Sequence, residues 1–568
     1  MRRLRTHFQV NLVDILVICS FAVFALLCHL GRWNGVNGFV FLSSDAANIA
    51  SFVAARDNPQ FFGSDPTLGD PENFRFYWTV QIPIVRFLAR MTGDYGNAIV
   101  TLLGPVIFLQ AVGFYIFGRV VLTARYLAIL FAIITLMPMK LNLGTYWGIF
   151  LDPLPRSFFQ SLLPFLLAAV YYWRTTPKVW PWLTVAAGAL MYVHPVSTPG
   201  WGFAIWLGMW LFMPNSWSYA KRFSYMMLLG ALFLASISPF LVHYLSFHAH
   251  GQTSNYELVY DIMKMRFSRG SFDIPEAFMD FIWEIRYVIF LAIVGAVITF
   301  RFRQSDRRKT NLLLIWIMGL LLISVFVPLV EQRISLSLGR IPFEKDLIRG
   351  MRYTIPLLML FWLLPLVRTE GRTRNPILVC TVGLILTFSW AHNKRGWDEL
   401  PSPNTALQAL ENWFGGYFVR EPEEHMALRT TLENLSRLAP IGSRILPLAP
   451  LEPPYTFSML AVRYFCLRPI VYSFKDGGTF AYSNHDQLIE WYEKVSTFFD
   501  VYVLAQRKIS EKDYDSMLNL FVELAKKWNA QFLLIRLDID LSSPATLRKD
   551  VLYADHGYLI VKITDRRT

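Results

Sequence analysis

The chain has 568 residues, of which 54% are hydrophobic and only 17% are charged. Its mean hydropathy of +0.36 excludes an ordinary water-soluble protein of this size. The formal net charge of +13 suggests a nucleic-acid partner at first, but the basic residues form short clusters between long apolar runs. The positive-inside rule produces that pattern, so topology accounts for the charge and no nucleic-acid partner is predicted.

Several apolar runs approach the roughly 20 residues that cross a bilayer, and we predict about eleven transmembrane helices. The first run is expected to be a retained span, because it is long and lacks a convincing signal-peptide cleavage site. The predicted spans are 12–30, 97–117, 120–138, 157–173, 179–195, 200–213, 224–245, 286–301, 311–330, 352–367 and 376–391.

If the N-terminus is placed in the cytoplasm, every predicted connection on the cytoplasmic side is basic, as the positive-inside rule requires. These connections are Arg119 to Arg125, Arg174 to Lys178, Lys221 to Arg222, Arg301 to Lys309 and Arg368 to Arg374. Most acidic residues fall in the outer loops. The sequence therefore predicts a multi-pass protein of the plasma (inner) membrane, with membrane lipid around it and a long first outer loop, 31–96.

The first outer loop begins with a helical pattern. Ser44 can cap a helix whose first turn contains Asp45. Apolar residues then recur at three- and four-residue spacing, which predicts an amphipathic helix lying on the membrane surface. These residues are Ala46, Ile49, Ala50, Val53 and Ala54. A second, aromatic amphipathic segment, 74–91, is expected at headgroup depth.

The chain changes character after residue 391. Apolar runs shorten to strand length and alternate with helical patterns at 486–499 and 511–528. This alternation predicts a soluble, extracytoplasmic α/β domain, 392–568, with a mainly parallel sheet, after a transmembrane domain, 1–391. The predicted strands are 445–448, 469–474, 532–537 and 558–563. Asp476-Gly477-Gly478 is interpreted as a turn signal only.

Together these features resemble the membrane glycosyltransferases of the GT-C fold, such as protein O-mannosyltransferases, aminoarabinose transferases and oligosaccharyltransferase catalytic subunits. The resemblance rests on Ser44-Asp45-Ala46 after the first span, the amphipathic segments within 44–91, and the soluble region 392–568. The segment "RPIVYSFKDGG" and the late "GYLIVKI" strand are also similar to a bacterial subgroup of such proteins. The resemblance implies transfer of a sugar from a polyprenyl-phosphate-type donor to an extracytoplasmic acceptor.

Two acidic residues are candidates for catalysis. In such an enzyme Asp45 is the general base, or a ligand of a divalent metal, Mg²⁺ or Mn²⁺. Asp152, in the second outer loop, completes that catalytic or metal site. Many relatives carry an adjacent acidic pair here, whereas Asp45 is followed by Ala46 and Ala47. The alternatives are that Asp45 only stabilises its helix N-terminus and that Asp152-Pro153 only starts a turn.

Basic and aromatic residues near the outer boundary are candidates for binding the donor. Arg349 and Arg352 lie three residues apart, so they share a helix face. Two guanidinium groups at this position have the geometry to bind a lipid-linked phosphate. Tyr353 is assigned to the same site. Arg156 either binds phosphate or extends to the membrane surface. His194, before Pro195, either faces a central cavity or is a structural histidine. The alternative to phosphate binding is that Arg349 and Arg352 form ion pairs with Glu344 or Asp346.

Two other functions remain open from the sequence. A lipid-linked glycan transporter would need paired repeats and broken spans, and no internal repeat is evident. A non-catalytic cell-envelope scaffold would tolerate the loss of Asp45. Replacement of Asp45 by Asn therefore separates an enzyme from a scaffold.

Overall fold

A computed structural model describes the chain at residues 11–33, 39–42, 44–141, 145–248, 255–267, 272–302, 307–342, 346–368, 383, 423–449, 459–536, 550–555 and 557–563. This part of the chain is mostly helical and has a small C-terminal sheet. It divides into two compact units. Unit 1 comprises Met1–Gly31, Leu102–Val242 and Phe267–Leu410, and unit 2 comprises Arg32–Thr101, His243–Arg266 and Glu411–Thr568.

The α-helices of the described residues are, in chain order, α1 (Leu12–Leu30), α2 (Ser44–Asp57), α3 (Gln81–Thr92), α4 (Tyr95–Thr101), α5 (Leu103–Leu122), α6 (Arg125–Leu136), α7 (Pro155–Tyr172), α8 (Trp180–Ala189), α9 (Thr198–Met209), α10 (Tyr219–His248), α11 (Tyr256–Phe267), α12 (Ile274–Glu284), α13 (Arg286–Phe302), α14 (Arg307–Leu321), α15 (Val327–Ser337), α16 (Thr354–Leu363), α17 (Glu423–Leu438), α18 (Ala461–Tyr464), α19 (Asp476–Ser483), α20 (His485–Ser510) and α21 (Tyr514–Lys527). The strands are β1 (Met139–Leu141), β2 (Thr145–Trp147), β3 (Ile445–Leu448), β4 (Phe532–Arg536), β5 (Val551–Asp555) and β6 (Tyr558–Lys562).

Five helical segments of the described chain are long and apolar enough to cross a membrane, or six if α12 and α13, which are bent by 71°, count as one span. The five are Leu12–Leu30, Tyr95–Leu122, Tyr219–Ser246, Thr310–Ser337 and Leu347–Val367. Four other predicted spans form helices of 10 to 18 residues, namely α6, α7, α8 and α9. The predicted span 376–391 lies outside the described residues. The expected number of about eleven is therefore not confirmed.

Unit 1 is a helical bundle built around α5, which packs against α1, α6 and α7. Asp14, at the start of α1, is only 4% exposed. Its Oδ1 lies 3.5 Å from Nε of Arg119 and 3.3 Å from Nε of Arg125, and it accepts a hydrogen bond from the Tyr115 hydroxyl. The start of α1 and the α5–α6 turn therefore lie at the same end of the bundle, as the predicted topology requires. The side of the membrane on which they lie stays a prediction.

Helix α2 forms where the sequence predicts it, with Asp45 in its first turn. Its apolar stripe is buried, but Ser51, Phe52 and Ala55 outside that stripe are also at most 2% exposed. The many alanines of α2 let α3, α4 and α18 pack closely around it within unit 2. The expectation of a helix on the membrane surface is therefore wrong for α2, which is an interior helix.

Helix α3 does have an exposed apolar face. Ile84, Phe87 and Met91 are 36%, 63% and 67% exposed, and their spacing places them on one side of the helix. Ile82, Val85 and Ala89 form the buried side. Contact of the exposed face with lipid, as expected for the segment 74–91, stays a prediction.

The C-terminal sheet of unit 2 is mixed, with strand order β3-β4-β6-β5. Only β3 and β4 are parallel, whereas β6 is antiparallel to both β4 and β5. The prediction of a mainly parallel sheet is wrong, because the short β5–β6 turn at Gly557 forms a hairpin, which must be antiparallel. Helices α20 and α21 cover the two predicted helical patterns.

The predicted strand at 469–474 is reduced to one bridge between Ile470 and Ile445. Two backbone hydrogen bonds form this bridge, from the Ile445 N–H to the Pro469 oxygen and from the Val471 N–H to the Ile445 oxygen. The N–H of Ile470 donates to Asp65 Oδ2 at 3.0 Å. Unit 2 also differs from the predicted C-terminal domain, because it contains the first outer loop together with the C-terminal region.

Candidate functional site

Arg156, His194, Arg349 and Arg352 lie in unit 1, and we call them the arginine cluster. His194 occupies the turn between α8 and α9, outside the candidate spans. Burial, together with the positive charges of Arg352, Arg156 and Arg349, holds the pKa of His194 well below its usual value. The structure therefore brings these predicted residues close together, with a neutral imidazole among three guanidinium groups.

A short chain of hydrogen bonds orients the imidazole. The Ser197 hydroxyl is hydrogen-bonded to the Tyr353 hydroxyl at 2.9 Å, and His194 Nδ1 lies 2.7 Å from the same serine oxygen. Whether Nδ1 donates to the serine oxygen or accepts from its hydroxyl depends on the tautomer of the imidazole, and either arrangement fixes the orientation of the ring. Sequence reasoning missed Ser197, which had no motif to mark it.

Tyr353 is fully buried, and aromatic rings surround it. Its ring centroid lies 5.4 Å from that of Phe159, 6.0 Å from Trp147 and 6.4 Å from Trp201. Rings at these distances and tilts stabilise one another beyond simple burial. Tyr353 thus anchors the short helix Leu347–Tyr353, which carries Arg349 and Arg352.

The helix Leu347–Tyr353 is a 3₁₀-helix, in which side chains three residues apart lie directly above one another. This confirms that Arg349 and Arg352 share a face. Arg349 Nε lies 3.1 Å from Asp346 Oδ1, so the ion pair considered as the alternative is present for Arg349. The predicted partner Glu344 lies outside the described residues.

Arg352 is different from Arg349. It is 3% exposed, its Cζ lies 5.1 Å from the centre of the Tyr353 ring, and its Nε has no hydrogen-bond partner in the described part of the chain. None of the ion pairs among the described residues involves Arg352. A buried guanidinium without a carboxylate is costly, so this position favours binding of an anion.

The start of α7 and the bend before it contain Arg156 and Asp152. Arg156 is the second residue of α7, and its Cζ lies 4.8 Å from the centre of the Phe150 ring. Asp152 is 4% exposed in the bend that leads into the helix, as the turn interpretation expects. Asp152 belongs to unit 1 and Asp45 to unit 2, so the predicted pairing of the two carboxylates stays a prediction.

Asp45 of unit 2 forms an ion pair that the sequence did not predict. Its Oδ1 accepts from Lys475 Nζ at 2.6 Å, and the two side chains are 49% and 21% exposed respectively. Asp45 is thus a half-exposed carboxylate held in place both by its helix N-terminus and by a lysine. Lys475 belongs to the segment "RPIVYSFKDGG", 430 residues along the chain from Asp45, so no local pattern indicated this contact.

A buried cluster beside Lys475 fixes this arrangement. Arg463 lies between Asp65 and Asp476, with nitrogen–oxygen distances of 2.7 Å to each, and all three side chains are at most 1% exposed. Burial alone would lower the pKa of Arg463, but Asp476 and Asp65 outweigh burial and raise it. Because Asp476 follows Lys475 directly, the cluster holds Lys475 at Asp45.

The residues around Asp45 do not favour a metal ion. The ammonium group of Lys475, 2.6 Å from Asp45 Oδ1, repels a cation. Among the described residues there is no group of three or more His, Cys, Asp or Glu that could hold a metal. The Mg²⁺ or Mn²⁺ expected from the sequence stays a prediction.

One further carboxylate is perturbed. Asp94 precedes α4, and burial raises its pKa to about 6, against the opposing effect of hydrogen bonds from the backbone N–H groups of Asn97 and Gly96. Asn97 N lies 2.6 Å from Asp94 Oδ1, which is the geometry of a helix cap. Asp94 is therefore a capping residue whose charge is disfavoured by its surroundings.

No protein-family model matches the chain, and no curated protein sequence is significantly similar to it. The resemblance to the GT-C family therefore rests on the sequence segments 44–91 and 392–568 alone.

Proposed function

We propose that this protein is an integral-membrane glycosyltransferase of the plasma membrane that moves a sugar from a polyprenyl-phosphate-type donor to an extracytoplasmic acceptor. The observation that carries the proposal is Arg352, a buried guanidinium that forms no ion pair with any described residue. The five or six candidate spans support a membrane location. The resemblance in the first outer loop and the C-terminal region supports the class of reaction.

The arginine cluster would act on the leaving group. When the bond between the sugar and the phosphate oxygen breaks, negative charge increases on the phosphate, and guanidinium groups already in position stabilise it. Arg352 would bind the phosphate directly, and Arg156 and Arg349 would add positive charge around it. His194 is neutral, so the positive charge of the site would come from the guanidinium groups alone.

Asp45 would be the general base that takes the proton of the acceptor hydroxyl as the oxygen attacks the sugar. Its half-exposed carboxylate supports access for an acceptor, and Lys475 supports a fixed orientation. This role is assigned from unit 2 alone and is tested separately from phosphate binding.

The test is thermal stabilisation of the purified protein by a panel of polyprenyl-phosphate sugars, followed by a transfer assay with each donor that binds. A donor that binds only the folded protein should stabilise it by about 2.7 kcal/mol at 100 times its dissociation constant. We expect one donor to stabilise the wild type and the Asp45→Asn variant alike. Replacement of Arg349 and Arg352 by Ala should abolish that stabilisation.

In the transfer assay, Asp45→Asn should lower the rate by about 10²–10⁴-fold, the contribution typical of a general base. The matched control is Asp57→Asn, which removes a carboxylate at the other end of α2, where Asp57 pairs with Arg86. The control should keep most of the activity. If no donor stabilises the folded protein, or if Asp45→Asn remains fully active in the cell, a scaffold or transporter would account for the chain better.

A further inference from the structure

Unit 2 contains a cavity of about 170 Å³ beside the buried Asp476. Helix α20 forms one wall, where Gln487, Glu490, Trp491 and Lys494 recur at three- and four-residue spacing. That volume holds several water molecules and is below the roughly 300–1,000 Å³ of a pocket for a drug-sized ligand, so the cavity suits a ligand as small as a single sugar ring.

Two polar atoms of the lining lack hydrogen bonds. Arg444 Nε, a donor, and Gln487 Oε1, an acceptor, are both buried and have no partner among the residues that the structure describes. Buried polar groups in folded proteins are nearly always hydrogen-bonded, and leaving one without a partner destabilises the fold. A ligand that both donates and accepts would satisfy the two atoms at once.

The charges of the lining balance one another. Lys494 Nζ lies 2.7 Å from Glu490 Oε1, and Asp476 is already bound by Arg463. Burial lowers the pKa of Arg444, and the negative charges of Asp65 and Glu490 oppose that effect only in part. The cavity thus contains no large excess of either sign, which favours a neutral ligand over an anion or a cation.

Aromatic groups complete the lining. The Trp491 indole is held by a hydrogen bond from Nε1 to the carbonyl oxygen of Ser473 at 2.9 Å, and it packs directly on Gly477. Tyr472, also buried, lines the cavity as well. Flat apolar rings beside hydrogen-bonding groups suit a sugar, which has apolar C–H faces and hydroxyl groups at its edge.

We propose that this cavity is a carbohydrate-binding site that takes one neutral sugar ring, with hydroxyl groups bonded to Arg444 and Gln487. The site lies wholly within unit 2. It does not depend on the transfer reaction proposed above, because its lining contains neither Asp45 nor any residue of the arginine cluster.

The experiment measures binding of free neutral hexoses and N-acetylhexosamines to the full-length protein in detergent, by saturation-transfer difference NMR. Gln487→Met and Arg444→Met remove the acceptor and the donor while keeping side-chain volume. The matched controls are Gln506→Met on the same helix and Arg437→Met at the end of α17, neither of which lines the cavity. Loss of one net hydrogen bond lowers affinity about tenfold, so each cavity variant should bind about tenfold more weakly than its control.

The proposal would be supported if at least one neutral sugar bound the wild type and Arg352→Met but not the cavity variants. That result would also show that the cavity and the donor site are distinct. The proposal would be overturned if no neutral sugar bound the folded protein, or if the cavity variants bound as well as the controls. Stronger binding of the corresponding uronic acids or amino sugars would also overturn it, because the charge balance of the lining predicts a neutral ligand.

Discussion

Replacement of Arg463 by Met should be the most damaging single change in unit 2. The guanidinium is 1% exposed and neutralises two carboxylates, Asp65 and Asp476, that are equally buried. Removal of one partner from a buried ion pair costs about 3–5 kcal/mol, because it leaves a charge uncompensated in the interior. Here two carboxylates lose their partner, so the loss should lie in the upper part of that range.

The assay is thermal unfolding of the full-length protein followed by tryptophan fluorescence. A change of 1 kcal/mol shifts the midpoint by about 2–4 °C for a domain of 150–250 residues, so a loss of about 4–5 kcal/mol in Arg463→Met should lower it by roughly 8–20 °C. The control is Arg507→Met. Its side chain is 78% exposed and pairs with Glu511 at 3.0 Å on the surface, so its midpoint should stay within about 2 °C of the wild type.

A second variant identifies the cause of the loss. Adding Asp476→Asn to Arg463→Met removes one of the two uncompensated carboxylates and should recover part of the lost stability. The reasoning would be refuted if Arg463→Met unfolded within 2 °C of the control, or if the double variant were less stable than the single one. Either result would mean that the buried charges do not govern the stability of unit 2.

The other stability predictions concern pH and packing. Asp94 has a folded pKa of about 6 against 3.8 in the unfolded chain, so its ionisation disfavours the folded state as the pH rises through that interval. Asp94→Asn keeps a capping side chain without the charge. It should therefore stabilise the protein by about 1–2 kcal/mol at pH 8 and have little effect below pH 4. Thermal unfolding midpoints measured at both pH values test this. Gly477→Ala should destabilise unit 2 by about 1–3 kcal/mol, because the new Cβ would lie 2.5 Å from the Trp491 ring. Gly63→Ala, whose Cβ meets nothing within 4 Å, should be nearly neutral, and equal midpoints for the two variants would contradict the packing argument.

Local patterns in the sequence predicted the individual elements well. The helix that contains Asp45, three of the strands and the long helices α20 and α21 all follow from periodicity that lies within a few residues. The clustering of Arg349 and Arg352 also follows from local spacing. These features depend on neighbours in the chain, so a single sequence suffices to predict them.

Features that depend on distant partners were missed. Nothing near Asp45 indicates that Lys475 will pair with it, and nothing near Asp65 indicates Arg463. The burial of α2 was missed for the same reason. An alanine-rich helix has the same apolar stripe in its sequence whether it packs inside a protein or lies on a membrane surface. The backbone N–H of Ile470 donates to Asp65, which is another contact between residues far apart in the chain.

The buried Arg352 should also affect the thermal stability of the protein in the absence of donor. Arg352 is buried and pairs with no carboxylate of the described residues, so its charge stabilises a bound anion and costs free energy when none is bound. Arg352→Met should therefore unfold at or above the midpoint of the wild type in the absence of donor. A large loss of stability would instead indicate a structural role for Arg352.

The most direct test of the central claim is equilibrium binding of sugar-free polyprenyl phosphate, with the unphosphorylated polyprenol as the reference lipid. Loss of a charge-assisted contact to phosphate costs about 1.5–3 kcal/mol, so Arg352→Met should bind polyprenyl phosphate about 10–100-fold more weakly than the wild type. Arg333→Met, which removes an exposed arginine of unit 1, should bind like the wild type. Equal affinity of the wild type and Arg352→Met, or no preference of the wild type for the phosphate over the polyprenol, would contradict the account.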